Sequence, residues 1–92
     1  MSTKWKVALI GKAKQAHKFL STGAHKAFYL LTIELEEGPE VPHRPNYGKL
    51  GSMNYHCHLK KGRPTYVACW TADKKNKIIE VYYAGTHERA PY

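Results

Sequence analysis

The sequence predicts an α+β domain: an antiparallel sheet of about four strands with an N-terminal helical hairpin packed on one face, in the order β-α-α-β-β-β. Three observations carry this. Ala24, Phe28, Leu31 and Leu35 recur at i, i+4, i+7 and i+11, the spacing of one helical face. Residues 55–60, 65–72 and 77–84 alternate in polarity with period two and are separated by turn-forming runs. The helical pattern also precedes the later strand patterns rather than alternating with them, which separates α+β from α/β.

In chain order, Lys4 to Ile10 alternates with Trp5, Val7 and Leu9 on one face and reads as a short edge strand. Gly11 breaks it, and Lys12 to Leu20 reads as a helix with Ala13, Ala16, Phe19 and Leu20 as its apolar stripe. Ser21-Thr22-Gly23 supplies a turn and an N-cap for the second helix. Glu34, Glu36 and Glu37 crowd the end of that helix, the unfavourable sign for its dipole, and Gly38-Pro39 stops it. Pro39 to Gly51 holds three prolines and two glycines and reads as a loop. Its His43, Arg44, Lys49 and Tyr47 suit phosphate and base contacts, and they equally suit any exposed loop of a basic protein.

Three strands then meander. Tyr55, Cys57 and Leu59 point one way from the first, and His56, His58 and Lys60 the other. Lys61-Gly62-Arg63-Pro64 turns the chain into Thr65–Ala72, where Val67, Cys69 and Thr71 alternate against Tyr66, Ala68 and Trp70. After Asp73-Lys74-Lys75-Asn76, the last strand runs from Lys77 to Ala84. Ile79, Val81 and Tyr83 take one face, and Ile78, Glu80 and Tyr82 the other. The tail from Gly85 to Tyr92 is too polar for a strand, and one sheet face is expected to be open.

Ninety-two residues make one domain, 1–92, with 42% hydrophobic and 12% aromatic residues, as in a folded protein. The formal net charge is +8, with a pI near 9.6. Like charges repel, so this excess serves solubility or a polyanionic partner, nucleic acid above all. Cys57 and Cys69 have no CxxC spacing. A disulfide between them is open in principle, but both fall at inward-facing strand positions, which favours buried free thiols. The opening run from Met1 to Lys12 lacks the apolar core of a secretion signal, and no stretch is long enough to span a membrane. A reducing, cytoplasmic setting is expected.

The row His56, His58, Lys60, with Lys61 and Arg63 beyond it, is the strongest candidate for chemistry, joined by His87 if the tail folds back across the open face. His-x-His on a strand is a metal-ligand spacing. A chain of charge +8 with no evident carboxylate near the cluster is a poor host for a divalent cation, so no metal and no cofactor are expected. Metal-free RNA cleavage uses the same residue types: imidazoles to move protons, cations to hold phosphate and a tyrosine to stack on a base.

Tyr55-His56-Cys57-His58-Leu59 with Tyr66-Val67-Ala68-Cys69-Trp70, and Val81 to Arg89 ending at Tyr92, resemble the RelE/ParE superfamily of toxins from toxin–antitoxin systems. The Gly85-Thr86-His87 ending, and Val7 to Ala13, are most similar to the YafQ branch within the RelE-type mRNA interferases. The resemblance covers nearly the whole chain, loosely in its first half. It implies the RelE-like fold and a cytoplasmic type II toxin that enters the ribosomal A site and cuts mRNA by 2′-OH attack, inhibiting translation. It assigns His56, His58, His87 and Tyr92 to catalysis and aligns Arg89 with a basic residue of the RelE tail, while Lys60, Lys61 and Arg63 beside the histidines, and Arg44 and Lys49 in the loop, are expected from their own chemistry to hold RNA or phosphate. Lys61-Gly62-Arg63-Pro64 stands where YafQ-type toxins carry a Pro-Asp implicated in catalysis. The implied partners are a cognate acidic antitoxin, the ribosome and mRNA, with the chain a monomer or part of a toxin–antitoxin hetero-oligomer. Two alternatives stay open: a ParE-like toxin that binds DNA gyrase without nuclease activity, and an inactive RNA-binding domain.

Overall fold

The computed structural model describes residues 4–92; the first three residues of the expected domain, and of the opening run read for a secretion signal, lie outside them. Strand β1 (Lys6–Leu9) leads into a single α-turn, α1 (Gly11–Lys14), a 3-10 turn (Ala16–Lys18) and the long helix α2 (Thr22–Leu35). Four strands follow, β2 (Gly48–Lys49), β3 (Asn54–Lys60), β4 (Tyr66–Asp73) and β5 (Ile78–Thr86), and a final 3-10 turn spans His87–Arg89.

The class is α+β as predicted, but the sheet has five strands, ordered β1-β5-β4-β3-β2, and is mixed. β2 to β5 form an antiparallel meander, whereas β1 pairs with β5 in parallel, Val7 opposite Ile79 and Leu9 opposite Val81. The helical segment explains the parallel step. α1 lies on β5 and α2 on β3, so the chain leaves β1, crosses the sheet and meanders back to its starting edge. β2 was hidden in the Pro- and Gly-rich loop because two residues are too short to show alternation.

The first half of the expected hairpin is not a continuous helix. It breaks at Gln15, and no side chain caps α1, whose N-cap is Ile10. Ala13 and Ala16 are buried as the stripe predicts, but the break turns Phe19 outward and leaves it 55% exposed. α2 follows expectation. The Ser21 hydroxyl accepts a hydrogen bond from the Ala24 amide, and Ala24, Phe28, Leu31 and Leu35 are buried. Phe28, Leu31 and Leu35 pack with Tyr55, Cys57, Trp70, Ile79 and Val81 in one core. The Tyr55 ring lies stacked between Tyr47 and Trp70, at centroid distances of 6.3 and 6.0 Å. Trp70 is fully buried, and its indole N–H donates to the Pro39 carbonyl at 3.0 Å, which satisfies its polar atom.

Two β-bulges change which residues share a face. Against β4, His58 pairs with Val67 and Lys60 with Tyr66, so Leu59 is an extra residue and Lys60 turns to the helix face. There its ammonium lies against Gly23, where a Cβ would sit 3.0 Å from Nζ. Cys69 pairs with Tyr83 and Trp70 with Val81, so Tyr82 is the second extra residue. Tyr83 therefore leaves the face of Ile79 and Val81 and buries with Val67 and Cys69 on the opposite one, with Tyr82 and Ala90 packed beside them. That face is consequently not open; the C-terminal tail lies over part of it. Cys57 and Cys69 are both free and buried, on opposite faces of the sheet, with burial pushing each thiol up to about 12.

Candidate active site

β3 supplies the first two imidazoles. His56 stands opposite Gly48 of β2, and its ring fills the space above that glycine; a Cβ there would come within 2.9 Å of Nε2. His58 is fixed by its own backbone, whose amide donates to the Pro45 carbonyl at 2.8 Å. Both rings are half-buried, and in each the Nδ1 atom is buried with no hydrogen-bond partner among the described residues. Burial lowers the pKa of both below the ordinary histidine value. The nearby His87 adds to the shift of each, and Lys61 and His56 add to that of His58.

The tail supplies the rest through a local device in Gly85-Thr86-His87. Tyr83 lies along its own strand and donates its hydroxyl to the Thr86 carbonyl at 2.6 Å, a path left clear because Gly85 has no Cβ to obstruct the ring. The His87 amide then donates to the Thr65 carbonyl at 2.8 Å, and the Ala90 amide to the His87 carbonyl at 3.1 Å. The chain is thereby bent back over β3. His87 meets His58 edge-on at 5.5 Å between ring centroids, and Tyr92 lies 4.6 Å from His56 and 5.8 Å from His87.

A cleft of about 640 Å³ opens beside these rings, lined by His58, Arg63, Pro64, Thr65, His87 and Glu88. His87, Glu88 and Arg63 are exposed, so an imidazole, a carboxylate and a guanidinium line the open side of the cleft. The arrangement can take and return protons beside a cation.

Of the residues singled out in the sequence, the structure brings together His56, His58, His87 and Tyr92, places Arg63 in the cleft that His58 and His87 line, and leaves Lys61 close enough to act on His58 through its charge. Four others lie elsewhere. Lys60 is on the helix face because of the Leu59 bulge. Arg44 is only 13% exposed at its side chain and grips the Glu34 carboxylate with Nε at 3.0 Å and Nη2 at 2.8 Å, while His43 meets the same carboxylate at 2.9 Å. The Glu34 carboxyl is held below its ordinary range chiefly by Arg44. Lys49 sits over the Tyr55 ring at 5.4 Å, on the core side of β3. Arg89 lines a different groove with Lys12 and Phe19. Glu88 and Thr65 went unnoticed in the sequence; the only signal was that Glu88 adjoins His87.

No group of three or more histidine, cysteine or acidic side chains among the described residues is placed to hold a metal ion. No helix among them is long and apolar enough to cross a membrane. Compared with known proteins, the chain matches no family model, no curated protein and no solved structure.

Proposed function

We propose that this chain is the toxin of a type II toxin–antitoxin system, a ribosome-dependent endoribonuclease of RelE/YafQ type that cuts mRNA and inhibits translation. The observation that supports it most is the return of the tail, which sets His87 against His58 in a cleft that also holds Arg63, with Tyr92 beside His56 and His87. A charge of +8 suits entry into a polyanionic site.

The reaction needs no external reactant. The 2′-oxygen forms a bond to the adjacent phosphorus as its proton leaves, and the 5′-oxygen–phosphorus bond breaks as that oxygen gains a proton. The products are a 2′,3′-cyclic phosphate and a 5′-hydroxyl. His87 and Glu88, exposed on the cleft, are the pair that exchanges these protons. Arg63 and Lys61 offset the charge that develops on the phosphate. Tyr92 offers a ring for a base. His58 has a different part. A buried Nδ1 without an acceptor favours the neutral ring with its hydrogen on Nε2, so His58 donates a hydrogen bond to phosphate rather than cycling its charge. An acidic antitoxin is the partner this activity requires, and it would neutralise and co-purify with the chain.

Primer extension on a defined mRNA, with purified protein and with or without ribosomes programmed with that message, tests the proposal. Cuts at fixed codon positions that need ribosomes are expected. Intact mRNA in both conditions would overturn it, and inhibition of gyrase supercoiling alongside intact mRNA would put a ParE-like activity in its place.

A further inference from the structure

A second groove lies on the far side of the tail. The final 3-10 turn separates the two: His87 and Glu88 face the catalytic cleft, whereas Thr86 and Arg89 face a groove of about 410 Å³ whose other wall carries Lys12 and Phe19. Its floor is the end of β5 at Tyr83 and Ala84. Tyr83 and Arg89 both line it, and burial raises the Tyr83 hydroxyl above its ordinary value.

Three features of this groove serve no purpose in the fold. Phe19 belongs by spacing to the buried stripe of Ala13 and Ala16, yet the break at Gln15 presents it to solvent at 55% exposure, where a polar residue would serve folding better. Lys12 and Arg89 come from distant parts of the chain and place two cations at one opening. No carboxylate lines the groove to neutralise them. An aromatic ring and two cations in one groove without a carboxylate, one turn of chain from a cleft suited to phosphodiester chemistry, have the composition of a nucleotide site.

We infer that the Lys12–Phe19–Arg89 groove is a second RNA subsite, which takes a nucleotide flanking the one to be cut, its base stacked on Phe19 and its phosphate held by Lys12 and Arg89. The inference rests on the endoribonuclease activity proposed above. An RNA strand lying across the His87–Arg89 turn would reach both grooves, and the second would set the register of the strand in the first. The contribution is to binding and positioning, with no part in the proton transfers.

The test is fluorescence anisotropy of a labelled, single-stranded hexaribonucleotide with 2′-O-methyl riboses, which cannot be cut, titrated with the purified full chain over a range of salt. Loss of a base–aromatic stack weakens binding roughly 5- to 150-fold, and Phe19→Ala is expected in that range with an unchanged salt dependence. Lys12→Gln is expected to weaken binding and to reduce the slope of log K against log salt by about 0.7, the signature of one lost phosphate contact on a single strand. Phe19→Trp is expected to keep the affinity and to lose indole fluorescence when RNA binds. Because Phe19 and Lys12 are exposed, these variants keep their core. Equal affinities for wild type and Phe19→Ala, or no binding by wild type at low salt, would overturn the inference. Neither result touches the nuclease proposal, which primer extension decides separately.

Discussion

Replacing Gly85 by alanine should loosen the tail that carries His87, and the structure gives the size of the effect. A Cβ at position 85 would lie 2.9 Å from the Tyr83 hydroxyl oxygen, closer than such atoms approach in folded proteins, and 3.1 Å from Cζ, tighter than most such contacts. Tyr83 cannot swing aside, since it is 5% exposed and packed with Val67 and Cys69. The substitution therefore forces a shift and breaks the 2.6 Å hydrogen bond to the Thr86 carbonyl. Overpacking costs about 1–3 kcal/mol and the hydrogen bond about 1 kcal/mol, together about 2–4 kcal/mol out of a typical 5–15. Tyr83→Phe removes the hydroxyl alone and should cost about 1 kcal/mol. Combined, the two changes should be less damaging than their sum by about 1 kcal/mol, because the closest of the clashing atoms has gone. Urea unfolding of wild type, both single variants and the double variant measures all three quantities. A wild-type midpoint for Gly85→Ala, or strict additivity in the double variant, would refute the reasoning.

Further outcomes follow from the same geometry. His87→Ala should abolish ribosome-dependent cleavage while the protein stays folded, whereas His58→Gln, which keeps an N–H donor, should retain more activity than His58→Ala; primer extension and growth arrest report both. Folding lowers the pKa of His56 and His58 below the ordinary 6.5, so the unfolded chain binds more protons as pH drops through that value. Their contribution to stability is complete above about pH 6.5 and is lost as pH falls below it, so unfolding midpoints should decline toward pH 5, less so in His56→Gln/His58→Gln. Arg44→Ala should cost about 1 kcal/mol through the lost Glu34 pair and leave RNA cleavage intact, as urea unfolding and primer extension would show. Loss of that cleavage in a folded variant would return Arg44 to the site.

Features set by local periodicity were legible in the sequence. The α2 stripe, its Ser21 cap and the β3–β5 meander all have a repeating pattern, and His56 and His58 share a face because they are two residues apart on a strand. Features set by single residues against distant neighbours were not. The bulges at Leu59 and Tyr82 leave no mark in composition, yet one removes Lys60 from the histidine row and the other moves Tyr83 across the sheet. Arg44 is chemically as fit for phosphate as for a carboxylate, and only the fold brings Glu34 to it. The parallel place of β1 was equally hidden, because a strand's own pattern does not name its partner.

That parallel pairing also constrains the order in which the chain can close. Lys6 to Leu9 find their partners only in Ile78 to Val81, so an early-synthesised strand waits for almost the last one before its edge is satisfied. Contacts so distant in sequence form late, after the meander has condensed. The residues that then complete the histidine cluster, His87 and Tyr92, come later still. A nascent chain thus carries its basic, aromatic surface out of the ribosome well before His58 meets His87 and His56 meets Tyr92, contacts that need sheet and tail to close together.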